Sequence, residues 1–144
     1  MNPKTTAYLA LAEDLLAQGV PLHGFGAQAH LSLEYGAPGD AVTTVLQRFA
    51  DLGLATAITE LDVRMELAGE EPTDEQLTQQ AEYYRDVVEG CLAVVGCGSI
   101  TVWGHTDRYS WVPGWFEGFG AATLTGPEYT VRPAYDAVAE ALAE

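Results

Sequence analysis

Three short strand-like segments, each preceded and followed by a helical one, constrain this chain more than any other feature. Thr6 to Gln18 places Tyr8, Leu11, Leu15 and Ala12, Leu16 at three- and four-residue spacing, and Gly19 stops that helix. Gly24 to His30 is the first strand candidate. Pro38-Gly39 marks a turn, and Asp40 is placed to cap a helix with Val42, Val45, Leu46 and Phe49 on one face and Gly53 at its end. Ala55 to Asp62 is the second strand. Thr73 and Gln76 have capping-box spacing, and the helix after them carries Leu77, Ala81, Tyr84, Val88, Cys91, Leu92 and Val95 on its expected inner face. Ser99 to Trp103 is the third strand. An aromatic- and Gly-rich loop spans 104–131, and Pro133 opens a last helix that runs to about Leu142. Helix–strand alternation with short turns predicts an α/β fold with a parallel sheet. A complete (β/α)8 barrel takes about 250 residues. The 144 residues therefore fit either a small three-stranded α/β domain or roughly three-eighths of a barrel.

Charge narrows the partners. Asp and Glu number 21 against 6 Lys and Arg, a net charge of −15. Nucleic acid and anionic membrane would both repel such a chain. No apolar run approaches the roughly 18 residues of a membrane span. The N-terminus does not read as a secretory signal, because Glu13 and Asp14 interrupt its apolar stretch. No Gly-rich phosphate loop, GxSxG elbow or HExxH pair occurs, and no cofactor is indicated. Cys91 and Cys97 show no metal-type pairing with His23, His30 or His105. They are either a local disulfide or two buried thiols.

Strand alternation puts Gly24, Gly26, Gln28 and His30 on one face of the first strand. It puts Thr56, Ile58, Glu60 and Asp62 on one face of the second, and Thr101 and Trp103 on one face of the third. The polar and aromatic members sit toward the C-terminal ends, where α/β active sites assemble. Each has a bland alternative. Glu60 could be a solvated carboxylate, His30 a structural histidine, Asp62 the start of a loop and Trp103 ordinary core. Tyr109, Trp111, Trp115, Phe116 and Phe119 form a loop cluster that either folds over the sheet end or offers flat faces to sugar rings.

Taken together, Gly24-Phe-Gly-Ala-Gln-Ala-His-Leu31, Ile58-Thr-Glu-Leu-Asp-Val63 and Thr101-Val-Trp-Gly104, with Asp107 and Ser110-Trp111, resemble the C-terminal half of a glycoside hydrolase family 10 endo-1,4-β-xylanase. Gly19-Val-Pro-Leu22, Cys91 to Cys97 and Arg132-Pro-Ala-Tyr135 fit as well. The resemblance implies a partial (β/α)8 barrel, with residues 1–144 as the C-terminal portion of the catalytic domain. It implies retaining hydrolysis of xylan, with Glu60 as nucleophile, His30 bonded to it and Asp62 supporting His30. It gives Gln28, Trp103 and Trp111 substrate contacts, and it makes Cys91 and Cys97 a disulfide. It also implies a secreted protein, no metal, and xylan or a xylo-oligosaccharide as the partner.

The family's acid/base Glu belongs to a Trp-Asp-Val-Val-Asn-Glu-like segment that these residues lack. Retaining hydrolysis needs two carboxyls about 5–5.5 Å apart. The isolated chain is therefore expected to be inactive or nearly so, and to need an N-terminal barrel half. The alternative class is a non-catalytic half-barrel that binds xylan or pairs with a partner chain. Another retaining (β/α)8 hydrolase, such as a cellulase, is a third reading, which the linked TELD and TVWG motifs argue against.

Overall fold

A computed structural model describes residues 2–143; Met1 and Glu144, the ends of the expected 1–144 unit, lie outside them. The elements are α1 (Pro3–Ala17), β1 (Gly24–Ala27), β2 (His30–Ser32), α2 (Ala41–Ala50), β3 (Ala55–Glu66), α3 (Asp74–Leu92), β4 (Cys97–Val102), α4 (Val112–Trp115), β5 (Phe119–Gly120) and α5 (Pro133–Ala141). β3 is the central strand. β1 and β2 both pair with it in parallel on one side and β4 pairs in parallel on the other. The expected first strand is thus split in two. Ala29 takes a left-handed backbone conformation, φ 65°, which interrupts the extended chain between β1 and β2.

β3 runs four residues further than expected, to Glu66, because β5 adds antiparallel to its end through Met65 and Glu66. The 104–131 region is correspondingly more ordered than a plain loop. It contains a 3-10 turn at Asp107–Tyr109, then α4 and β5. Asp107 anchors the region from within. Its Oδ1 accepts from the Thr123 N–H and hydroxyl, both at 3.0 Å. Its Oδ2 lies 2.5 Å from Nη2 of Arg132, the residue that precedes α5.

The main core lies between the sheet and the helices. Ile58, Leu61 and Val63 of β3 meet Leu46 of α2, Tyr83, Tyr84 and Val87 of α3, and Ala134 of α5. A second cluster, Leu9, Ala12, Phe49 and Leu54, seats α1, with the Phe25 and Phe49 rings stacked at 3.6 Å. Thr73 and Gln76 form the expected capping box. Asp40 occupies the cap position of α2 but makes no side-chain cap bond, since its own backbone is already helical there. The inner face of α3 is also rotated from the expected one. Leu92 and Val95 are exposed, while Gln80, Tyr83 and Val87 are buried. Gln80 is drawn inward because its Nε2 donates to the Val63 and Ala121 carbonyls at 2.9 and 2.5 Å. Cys91 and Cys97 are disulfide-bonded across the turn from α3 to β4.

Two predictions follow from this packing. A Cβ at Gly90 of α3 would lie 2.8 Å from Val42 Cβ and 3.3 Å from the Thr43 backbone nitrogen. Gly90→Ala gains about 1 kcal/mol of helix propensity, but overpacking costs about 1–3 kcal/mol and backbone cannot yield as a side-chain tip can. Urea unfolding is expected to show a net loss of about 1–2 kcal/mol. Replacing both Cys91 and Cys97 by Ala should cost about 2 kcal/mol under the chain-entropy relation for so short a loop. Thiol alkylation before and after reduction, followed by thermal melting, checks it.

Candidate active site

The site is built around a bulge in β3. Against β1 and β2, three steps from Ala27 to His30 face four from Ile58 to Asp62. Against β4, two steps from Ile100 to Val102 face three from Ile58 to Leu61. Against β4 one extra residue of β3 therefore sits between Ile58 and Leu61, after an opposite shift between Thr56 and Ile58, and against β1 and β2 the offset changes between Ile58 and Asp62, opposite the break at Ala29. A bulge of this kind re-aims the side chains that follow it. Regular alternation would keep Ile58 with Glu60 and Asp62. Instead Ile58 joins Leu61 and Val63 in the helix-side core, which corrects the expected grouping. Glu60 and Asp62 turn to the other face, where His30 lies.

His30 bridges the two carboxylates. Its Nδ1 is 3.0 Å from Asp62 Oδ2 and its Nε2 is 3.1 Å from Glu60 Oε2. A neutral imidazole donates from one nitrogen only, whereas an imidazolium satisfies both acceptors. Gln28 Nε2 donates to Glu60 Oε1 at 3.4 Å, so Glu60 is held from both oxygens. Trp111 Nε1 donates to Asp62 Oδ2 at 2.7 Å, and its ring lies 4.8 Å from that of His30. Trp103, half-exposed just past β4, stands edge-on to His30 at 6.3 Å. The six residues singled out from sequence, Gln28, His30, Glu60, Asp62, Trp103 and Trp111, thus converge on one face.

Burial separates the two carboxylates. The Glu60 side chain is 25% exposed and reachable, while that of Asp62 is fully buried. Burial raises the Asp62 pKa above the ordinary carboxylate value. The Trp111 hydrogen bond, the His30 charge and hydrogen bond, and the Arg64 charge work against that rise. Asp62 Oδ2 thus holds His30 and Trp111 out of solvent, and Glu60 is the more exposed of the two carboxylates. The Asp107 pKa is likewise raised by burial, opposed first by Arg132.

Sequence reasoning passed over Arg64 and its packing against Phe116, although Arg64 continues the period-two series Glu60, Asp62, Arg64. The other aromatic residues of the loop divide. Phe116 and Phe119 pack inward on Arg64, and Trp115 meets Trp111 at 6.4 Å while remaining 78% exposed. His105 stacks on Tyr129. Among the described residues, no group of three His, Cys, Asp or Glu side chains is arranged to hold a metal ion.

Known proteins share this arrangement of elements. Residues 1–141 match the family described as glycosyl hydrolase family 10. An endo-1,4-beta-xylanase of Agaricus bisporus is 44% identical over 137 residues, which is 95% of this chain and 40% of that protein. Endo-1,4-beta-xylanase B of Thermotoga neapolitana is 38% identical over 144 residues, or 41% of its length. The structure of xylanase 10B from Thermotoga petrophila RKU-1 in complex with xylobiose superposes with a TM-score of 0.91 at 40% identity. That superposition covers 99% of this chain and 43% of that one. The fold is accordingly a partial (β/α)8 barrel, and the chain spans about 40% of the length of the curated relatives it matches. From a family match over nearly every residue and relatives at about 40% identity, the chain belongs to glycosyl hydrolase family 10.

Proposed function

We propose that residues 1–144 are the C-terminal portion of an endo-1,4-β-xylanase catalytic domain and carry the nucleophile side of a retaining site. The observation that supports this most is the bridge Glu60–His30–Asp62, with a reachable carboxylate at one end and an indole-bonded, buried one at the other. Glu60 attacks the anomeric carbon of a xylose unit. A bond forms from its carboxylate oxygen to that carbon, and the glycosidic C–O bond breaks. The departing oxygen takes a proton from a second carboxyl, and water then releases the sugar with retention. His30 holds Glu60 in line. Asp62 orients His30 and balances its charge. Gln28 fixes the second oxygen of Glu60, and Trp103 and Trp111 offer ring faces to the sugar.

The second carboxyl has no candidate in this cluster among the described residues, because Asp62 Oδ2 already accepts from two donors. The reading therefore assigns proton donation to the complementary part of a barrel. β1 and β4 each pair with β3 alone among the described residues, so each offers a free edge to that part. Xylan or a xylo-oligosaccharide is the substrate in this reading. An extracellular location accords with the Cys91–Cys97 disulfide, which needs an oxidising compartment.

In a complete family-10 barrel carrying these residues, Glu60→Ala is expected to abolish turnover of an activated aryl xyloside. Azide or formate should restore part of it by entering the space of the lost carboxylate. Near-normal turnover without the added anion would overturn the assignment. For the 144-residue chain alone, a reducing-sugar assay on xylan is expected to read zero, since general acid catalysis worth about 10²–10⁴-fold and the opposite binding wall are both missing. Clear turnover by the chain alone would mean that a full acid/base pair is present in it. Binding of xylohexaose without turnover, unchanged by Glu60→Ala, would favour a xylan-binding half-barrel instead.

A further inference from the structure

Arg64 shares the site-facing side of β3 with Glu60 and Asp62, and the reaction described above gives it no task. It is 8% exposed. Its guanidinium carbon sits 4.0 Å from the Phe116 ring centroid and 5.9 Å from that of Phe119. Nη1 donates to the Leu31 carbonyl at 3.5 Å, and Nε is buried with no partner among the described residues. A guanidinium shielded from water against an aromatic face gains more from that contact than an exposed one does. Phe116 in turn stands edge-to-face with Trp111 at 5.6 Å. Trp111 donates to Asp62. The contacts therefore close a ring, from Asp62 through Trp111 and Phe116 to Arg64 and back along two residues of β3. Within that ring the aromatic segment meets β3 at two charged side chains, a cation under Phe116 and an anion under Trp111.

We propose that Arg64 is a positioning residue that seats the 111–119 segment on β3 through Phe116, so that the Trp111 indole reaches Asp62. The far end of the segment is already tied to β3 by the pairing of β5 with Met65 and Glu66, and Val112 is buried. The Arg64–Phe116 contact lies between that pairing and the indole bond, and it fixes the plane of the Trp111 ring. Arg64 also faces Asp62 as a charge. The other groups around Asp62 are His30 from β2, Glu60 from β3, the Trp111 indole, and the Tyr84 phenol from α3, whose own pKa is raised by burial. The inference rests on the proposed function only in giving Trp111 a place beside the sugar. The seating itself is measurable with no sugar present.

The test uses the 144-residue chain with Trp103→Phe and Trp115→Phe, which leaves Trp111 as the one indole fluorophore. In that background Arg64→Met is expected to red-shift the Trp111 emission and to raise quenching by the neutral quencher acrylamide about twofold or more, as a lost desolvated cation–π contact allows. The pH midpoint at which acid alters Trp111 emission should move upward, because a cation favouring ionised Asp62 is gone. Arg64→Lys keeps the charge and lacks the planar face. It should return the midpoint and leave part of the extra quenching. A folded Arg64→Met chain with unchanged emission, quenching and midpoint overturns the proposal, and so does a loss of thermal stability with Trp111 unmoved. If Arg64→Met does not fold, Arg64→Lys decides: raised quenching supports the proposal and parent-like quenching overturns it. Failure of the xylanase reading would show in the Glu60 experiments and leave these readings untouched.

Discussion

The extra residue between Ile58 and Leu61 is the constraint on which the rest of the molecule depends. A parallel strand covered by helices on one side must keep its apolar residues on that side. Ile58, Leu61 and Val63 all do so, although they are not spaced by twos throughout. The bulge absorbs the mismatch and leaves Glu60, Asp62 and Arg64 facing away from the helices as a set. Against β4 it cancels an opposite shift between Thr56 and Ile58, so the offset of the Thr56–Cys97 pair returns at Leu61–Val102. Removing that residue would return the downstream side chains to the opposite face. The charged series would then be driven into the core and Leu61 and Val63 out of it. Core packing and site geometry are thus two results of one backbone irregularity.

The site is held at some cost in stability. Asp62 sits where burial favours its neutral form, and one of its oxygens, Oδ1, is buried with no hydrogen-bond partner. A carboxyl whose native pKa stands above its unfolded value supplies stability at low pH. That stability is lost as pH rises through the native value. Kept ionised, Asp62 therefore draws on the folding free energy, and the neighbouring His30, Trp111 and Arg64 reduce the draw. Functional carboxylates are often maintained in this way, destabilised in themselves and stabilised by what surrounds them.

The sequence showed the order of elements plainly, because Gly19, Gly53 and the Thr73–Gln76 box are local signals that act within a turn of their own positions. It showed the polar strand ends for the same reason. The bulge left no such mark. Thr59-Glu60 is ordinary strand composition, and only pairing with both neighbours reveals the added residue. Gln80 has no place on the apolar face that the spacing predicts for α3, since its partners, the Val63 and Ala121 carbonyls, are distant in sequence. Val95 continued the helical period past the end of α3 at Leu92, so its periodicity outlasted the helix that gave it meaning, and Leu92, in the last turn, is left exposed. Arg64 and Phe116 were separated by 52 positions, and a cation meeting a ring across that distance has no spacing to read.

Asp107 and Arg132 bear on how such barrels exchange parts. The region between β4 and α5 carries Trp111, Trp115, Phe116 and Phe119 and is a natural segment to transplant. Its two ends are not independent of the body. Asp107 near the start is locked to Arg132 at the threshold of α5, and Thr123 in the middle completes the same knot. A graft that imports one member without the others would strand a buried ion, which costs about 3–5 kcal/mol and leaves the rim unmoored. Residues 107, 123 and 132 therefore define the smallest cassette that can move as a piece. Recombination within it would be disfavoured, and recombination at its borders tolerated.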